Sequence, residues 1–220
     1  AWDVDTDPCG AIVVSGFSFS IASASDIVVR KYDADGGLVW ERTEITDCLI
    51  RFGERATPEV LKVALQMKPH QVTLLPERAG ERTNEGGMDC VRNRETLLKI
   101  IGPLKEANIE VALLLEPDIE QVKSAHRLDI DAVEFNAASY VDARQMMEAE
   151  RALSNLAMAA KAAYKLRLGV SIGHRLNYLN VKQLRTIPEI GEYNIGYSIL
   201  ARGLLVGIDR AVREMVELLR

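Results

Sequence analysis

A histidine delivered by a short apolar run is the residue of this chain best suited to chemistry. Gly169-Val170-Ser171-Ile172-Gly173 reads as a strand, and His174 follows it. Arg175-Leu176-Asn177-Tyr178-Leu179-Asn180 then forms a polar loop that leads into a new helix near Val181. Imidazole exchanges protons near neutral pH, so a histidine at a strand end can act as a general acid. Further on, Tyr193-Asn194-Ile195-Gly196-Tyr197-Ser198 reads as a second strand. Its Gly196 lets backbone amides approach a ligand closely, an arrangement suited to a phosphate oxygen. Where strands alternate with helices in a barrel, chemistry sits at the carboxyl ends of the strands and the last two loops often hold phosphate. Plainer readings stand beside these: His174 as a structural histidine capping a loop, and Gly196 as a glycine that ends a strand.

The elements that must position these residues follow from hydrophobic patterning. From Thr46 onward strands and helices alternate. Cys48–Phe52, Gln71–Leu75, Ile109–Leu115, Ala132–Phe135 and the run before Gly173 read as short apolar strands. Thr57-Pro58-Glu59 starts a helix with an N-cap, a proline at its first position and an acid in its first turn. Further helices are expected over Arg94–Glu106 (interrupted at Gly102-Pro103), Asp118–Arg127, Ala143–Leu166 and Asp209–Arg220. Six βα units imply parallel strands joined by right-handed crossovers.

Residues 1–44 follow a different grammar. Ala11–Gly16 and Asp26–Tyr32 are β-branched runs, Asp33-Ala34-Asp35-Gly36-Gly37 is a hairpin turn, and Leu38–Glu41 returns as the partner strand. Over about 40 residues this pattern resembles one repeat of a bacterial β-propeller family. A single repeat cannot bury its faces alone. The expectation is therefore a hairpin-rich segment, 1–44, packed into a barrel portion, 45–220, whose first two strands the segment supplies.

Bulk properties narrow the function classes. The chain has 220 residues and a net charge of −5 with interspersed signs, so no basic stripe speaks for nucleic acid. No apolar run reaches the roughly 18–20 residues of a membrane span. Ala1-Trp2-Asp3 carries neither Met nor a signal-peptide pattern, the start expected of a processed or trimmed chain. Cys9, Cys48 and Cys90 are odd in number and lack a C-x-x-C pair, which fits ordinary thiols in a reduced, cytoplasmic setting.

A set of short words makes a resemblance specific. Lys68-Pro69-His70, Leu75-Pro76-Glu77-Arg78, Thr83-Asn84-Glu85-Gly86-Gly87-Met88-Asp89 and Ser139-Tyr140-Val141-Asp142-Ala143 come first. Gly173-His174, Asn177-Tyr178, Asn180-Val181, Ile187-Pro188-Glu189 and Asn194-Ile195-Gly196 follow. In this order and spacing, the region from about Thr46 to Leu219 resembles the pyridoxine 5′-phosphate synthase family. The resemblance implies a TIM-like (β/α) barrel. It implies condensation of 1-deoxyxylulose 5-phosphate with an aminoacetone phosphate, without metal or organic cofactor, and assembly into a homo-oligomer. It places a general acid on His174, a carboxylate that binds a hydroxyl or amine on Glu134, a substrate contact on Thr83 and a phosphate amide on Gly196. Plainer readings again accompany them: Glu134 as an inward polar residue paired with a neighbouring strand, and Thr83 as turn chemistry.

Departures from the family pattern are as informative. Val14-Ser15-Gly16-Phe17-Ser18 lacks the family's first-strand Asn-x-Asp-His word, and Val29-Arg30-Lys31-Tyr32-Asp33 has no histidine, although Arg30 could meet a phosphate. The family's third-strand glutamate falls on Gly53, with Glu54 one residue away, a slip that reverses a strand side chain unless a bulge corrects it. Arg175 replaces the glycine after the active histidine, and Tyr197 replaces the histidine after the phosphate glycine; with Gly196 they would form the phosphate end. Losing several members of one catalytic unit costs orders of magnitude. Two functions therefore follow. One is a synthase using His174 and Glu54. The other is a catalytically inactive chimeric or divergent barrel, completed by the propeller-like strands, that retains phosphate affinity.

Overall fold

The computed structural model describes residues 2–6, 12–19, 24–32, 38–52, 58–76 and 86–219, with side chains for 61, 62, 64–76 and 86–219. Four strands, β1 (Trp2–Thr6), β2 (Ile12–Phe19), β3 (Ala24–Tyr32) and β4 (Leu38–Phe52), pair antiparallel in chain order. From β4 the sheet changes direction. Parallel ladders join it to β5 (Gln71–Pro76), β6 (Glu110–Leu115), β7 (Ala132–Asn136), β8 (Gly169–Gly173) and β9 (Glu192–Asn194). Among the described residues the sheet runs in sequence order, with β1 and β9 at its two ends.

Helices follow the parallel strands: α1 (Pro58–Met67), α2 (Arg94–Glu106), α3 (Ile119–His126), α4 (Ala138–Val141), α5 (Met146–Lys165), α6 (Val181–Leu184), α7 (Tyr197–Val206) and α8 (Ile208–Leu219). Local chemistry sets their ends. The Asp118 carboxylate accepts from the amides of Glu120 and Gln121 at 2.7 and 3.0 Å, which starts α3. Glu148 reaches back to the amides of Arg144 and Gln145, so α5 begins at Met146 rather than at Ala143. Pro103 lies in the final turns of α2 and does not interrupt it.

Alternation along the strands separates two faces. Val72 and Leu74, Val111, Leu113 and Leu115, Val133 and Phe135, and Val170 and Ile172 all enter the core with the helices. Each such side chain stabilises by about 1.5–3 kcal/mol relative to exposure. The opposite face carries Thr73, Glu134, Asn136 and Ser171, polar yet buried. At the amino ends of the strands, the Asp131 carboxylate accepts from the Val111 amide at 2.8 Å and from Lys105 at 2.5 Å, tying α2 to β6 and β7.

Other elements differ from the sequence expectation as well. The strands expected at Leu38–Glu41 and Cys48–Phe52 are one strand, β4. No Gly or Pro breaks it, and it serves the antiparallel ladder at one end and the parallel ladder at the other. The strands at Val13 and Val28 lie in β2 and β3, which pair antiparallel with each other rather than as two parallel barrel strands, while the return strand expected from Leu38 does pair antiparallel with β3. The strand expected over Tyr193–Ser198 stops at Asn194, and Tyr197 and Ser198 open α7, a helix that patterning did not reveal. The Asp33–Gly37 turn, Thr57 and Cys9 lie outside the described residues.

Candidate functional site at the carboxyl ends of the strands

Glu134, in the middle of β7, lies opposite Leu114 of β6 and Ser171 of β8 and is 8% exposed. Two residues along, Asn136 lies opposite Gly173. A side-chain carbon at Gly173 would strike the Glu134 carboxylate, so the glycine leaves the space that this carboxylate occupies. His174 is the next residue. Its backbone is left-handed at φ 77°, Arg175 follows at φ 58°, and the imidazole Nε2 is shielded from solvent. A buried carboxylate and a histidine are thus brought to the same strand end. Such a pair can bind a polar substrate atom and deliver a proton to it.

The loop after His174 is held from several sides. The Tyr140 hydroxyl lies 2.8 Å from the Asn180 carbonyl and 3.1 Å from Gln183 Oε1, and burial raises its pKa. Arg175 pairs with Asp142 at 2.6 Å, Tyr178 donates to the Ala211 carbonyl, and Ser198 donates to the Leu176 carbonyl. Within the loop, Asn180 accepts from the Asn177 amide, and Asn177 accepts from the amides of Leu179 and Asn180. The words Ser139-Tyr140-Val141-Asp142 and Asn177…Asn180 are therefore the two sides of one clasp.

Gly196 caps α7 with an ordinary negative φ, and a side-chain carbon there would meet open space. Tyr197 opens α7 with its side chain 88% exposed. The first amides of this helix point out of its amino end, where an anion would be favoured. Arg175 is half-exposed and engaged with Asp142. Arg30 lies in β3 opposite Val14 and Glu41 by backbone register; its side chain, Glu54 and Thr83 lie outside the described residues.

Two residues of this face escape sequence reasoning. Glu116, just past β6, accepts through Oε1 from the Gly87 amide at 2.9 Å and from Asn136 Nδ2 at 3.0 Å. Asn136 in turn accepts from the Ala138 amide at 2.9 Å. A polar residue immediately after an apolar strand was the available signal, though Glu116 reads equally well as solvent-facing loop. Among the described residues no three His, Cys, Asp or Glu side chains gather as a metal-ligand group, and no helix is long and apolar enough to cross a membrane.

A parallel α/β sheet with buried polar groups converging at the carboxyl ends of its strands defines a protein with a small-molecule site. The family model described as "Pyridoxal phosphate biosynthesis protein PdxJ" matches residues 39–220, and the chain belongs to that family. Among its relatives, the pyridoxine 5′-phosphate synthase of Pelobacter propionicus is 43% identical over 165 residues, 75% of this chain and 69% of that protein. The protein of the same name from Geobacter sulfurreducens is 36% identical over 222 residues, 99% of this chain and 91% of that one. Among solved structures, Proteus mirabilis N-acetylneuraminate lyase matches 85% of this chain and 64% of its own at 12% identity, with a TM-score of 0.44, too slight a likeness to carry an argument.

Proposed function

We propose that this chain is a pyridoxine 5′-phosphate synthase-like enzyme that condenses 1-deoxyxylulose 5-phosphate with an aminoacetone phosphate. The observation that carries this reading is the Glu134 carboxylate lying against Gly173, the residue before His174, with Ser198 near the start of α7 bonded to the loop that follows that histidine. In this reading His174 donates the proton that lets an oxygen leave as water. Glu134 binds the hydroxyl or amine undergoing condensation, and its burial in a low-dielectric setting strengthens that contact. Gly196 and Tyr197 offer amides to a phosphate, with Arg175 near by on exchanging Asp142 for the anion. Arg30 and Thr83 contact substrate, and Glu54 supplies the base. No cofactor takes part.

The same proposal covers the architecture. Residues 45–220 form a (β/α) barrel portion of six βα units, and residues 1–44, a propeller-repeat-like segment, stand in for its first two strands. A cytoplasmic homo-oligomer acting on small phosphorylated substrates completes the reading. The inactive-barrel alternative is favoured by one specific observation: no histidine precedes His70, and glycine occupies position 53.

Product formation from the two substrates, on protein shown folded by circular dichroism, tests the choice. Wild type should form pyridoxine 5′-phosphate and His174→Ala should lose at least about 100-fold, the scale of general acid catalysis. No product from a folded wild type overturns the synthase reading. Binding of inorganic phosphate by that protein, lost on blocking the start of α7 with Gly196→Pro, would then support the inactive barrel.

A further inference from the structure

We infer that Glu116 is a positioning residue of this site: it ties the backbone at Gly87 to the Asn136 side chain across the carboxyl ends of β6 and β7 and so holds the strand end beside His174 in place for substrate. The inference rests on the synthase reading for its substrate and on geometry for its clamp.

One carboxylate oxygen of Glu116 gathers two donors from two different parts of the chain, the Gly87 amide and the Asn136 side chain. Close packing reinforces the arrangement. A side-chain carbon at Gly87 would overlap the backbone of Leu115 and Glu116, so the loop lies flat against the end of β6. Met88 donates to the Leu114 carbonyl at 2.7 Å and buries its side chain, and Cys90 donates to Gln121 of α3 at 2.9 Å. Beyond Asn136 the Ala137 amide donates to the Gly173 carbonyl at 2.9 Å. Hydrogen bonds link the Gly87 loop through Glu116 to Asn136, and the peptide that follows, through the Ala137 amide, ties this residue pair to the strand end that carries His174. A charged acceptor strengthens both bonds, and its removal leaves the buried Asn136 amide and the Gly87 amide without it.

Glu116→Ala, Glu116→Gln and wild type are compared by steady-state kinetics and by amide hydrogen exchange at Gly87. The amide side chain of Gln keeps an oxygen that can accept both bonds, so the two substitutions separate hydrogen bonding from proton transfer. Glu116→Ala should raise KM about 100-fold, as expected when a positioning contact is misplaced, and speed exchange at Gly87. Its kcat should stay within about threefold of wild type, as when uniform binding is lost. Glu116→Gln should restore KM to within about tenfold of wild type with an unchanged pH profile. Glu116→Ala with unaltered KM and Gly87 exchange overturns the inference. Glu116→Gln as impaired as Glu116→Ala overturns it also, by making Glu116 a proton-transfer group. A folded wild type without product defeats the synthase reading alone; Gly87 exchange then decides the clamp, and unchanged exchange in Glu116→Ala overturns it.

Discussion

Gly173 governs the position of Glu134 by having no side chain. Because an added carbon would meet the Glu134 carboxylate, Gly173→Ala must push that carboxylate away or twist β8. A displacement of about 1 Å at a reacting group costs on the order of 100-fold. The expected outcome is a fall of that size in kcat/KM with the fold retained by circular dichroism; an unchanged rate would show that Glu134 takes no part in turnover. Cys90 makes a second residue-level case. Burial, with the Asp89 charge assisting, pushes its thiol from 9.0 up to about 12, so it is neutral at physiological pH. The folded state holds that proton more tightly than the unfolded chain does. The associated stability is complete below pH 9.0 and is lost as pH rises toward about 12. Maleimide labelling near neutral pH, mapped by peptide mass, should spare Cys90 in folded protein and modify it after denaturation.

Among elements, α7 shows how a helix without buried residues is held. Leu204 and Leu205 are 82% and 80% exposed, and Ile199, Leu200 and Val206 are only half-buried. Arg202 of α7 forms a two-pronged pair with Glu214 of α8 at 2.8 and 3.1 Å, and Arg210 joins at 2.9 Å. The hydrogen bonds from Arg202 and then Arg210 hold the Glu214 carboxyl down at about 2, against an ordinary 4.5. A depressed carboxyl pKa stabilises above its unfolded value and loses that stabilisation as protons bind. Amide protection in α7 should therefore be constant above pH 4.5 and decline as pH falls toward about 2. Glu214→Gln should already lack that protection at neutral pH; equal protection in both proteins would assign the packing of α7 to other contacts. Ser198 of α7 donates to the Leu176 carbonyl, two residues after His174, so loosening α7 should reach the histidine loop.

At the scale of the molecule, the decisive feature is β4. One strand of 15 residues carries the antiparallel strands on one side and the parallel sheet on the other. A chain beginning at Leu38 would leave that strand as a long edge without glycine or proline, the kind of edge that templates association. It should form aggregates by light scattering at concentrations where the whole chain does not; a monodisperse shortened chain would show that β1, β2 and β3 are dispensable for covering it.

Patterning alone located the strands at Gln71, Ile109, Ala132 and Gly169 and the helices between them, because buried parallel strands are continuous apolar runs and the helices carry caps and amphipathic periods. It also set His174 at a strand end. Those are local properties, written in neighbouring residues. Tertiary structure decided what depends on residues far apart: that Glu134 sits over Gly173, that Glu116 serves Gly87 and Asn136, and that Tyr140 and Asp142 clasp the histidine loop. It also decided that β4 is one strand and that Tyr197 begins a helix. A hydrogen bond between residues separated by 20 or 40 positions leaves no periodic trace, since only the fold brings its donor and acceptor within 3 Å.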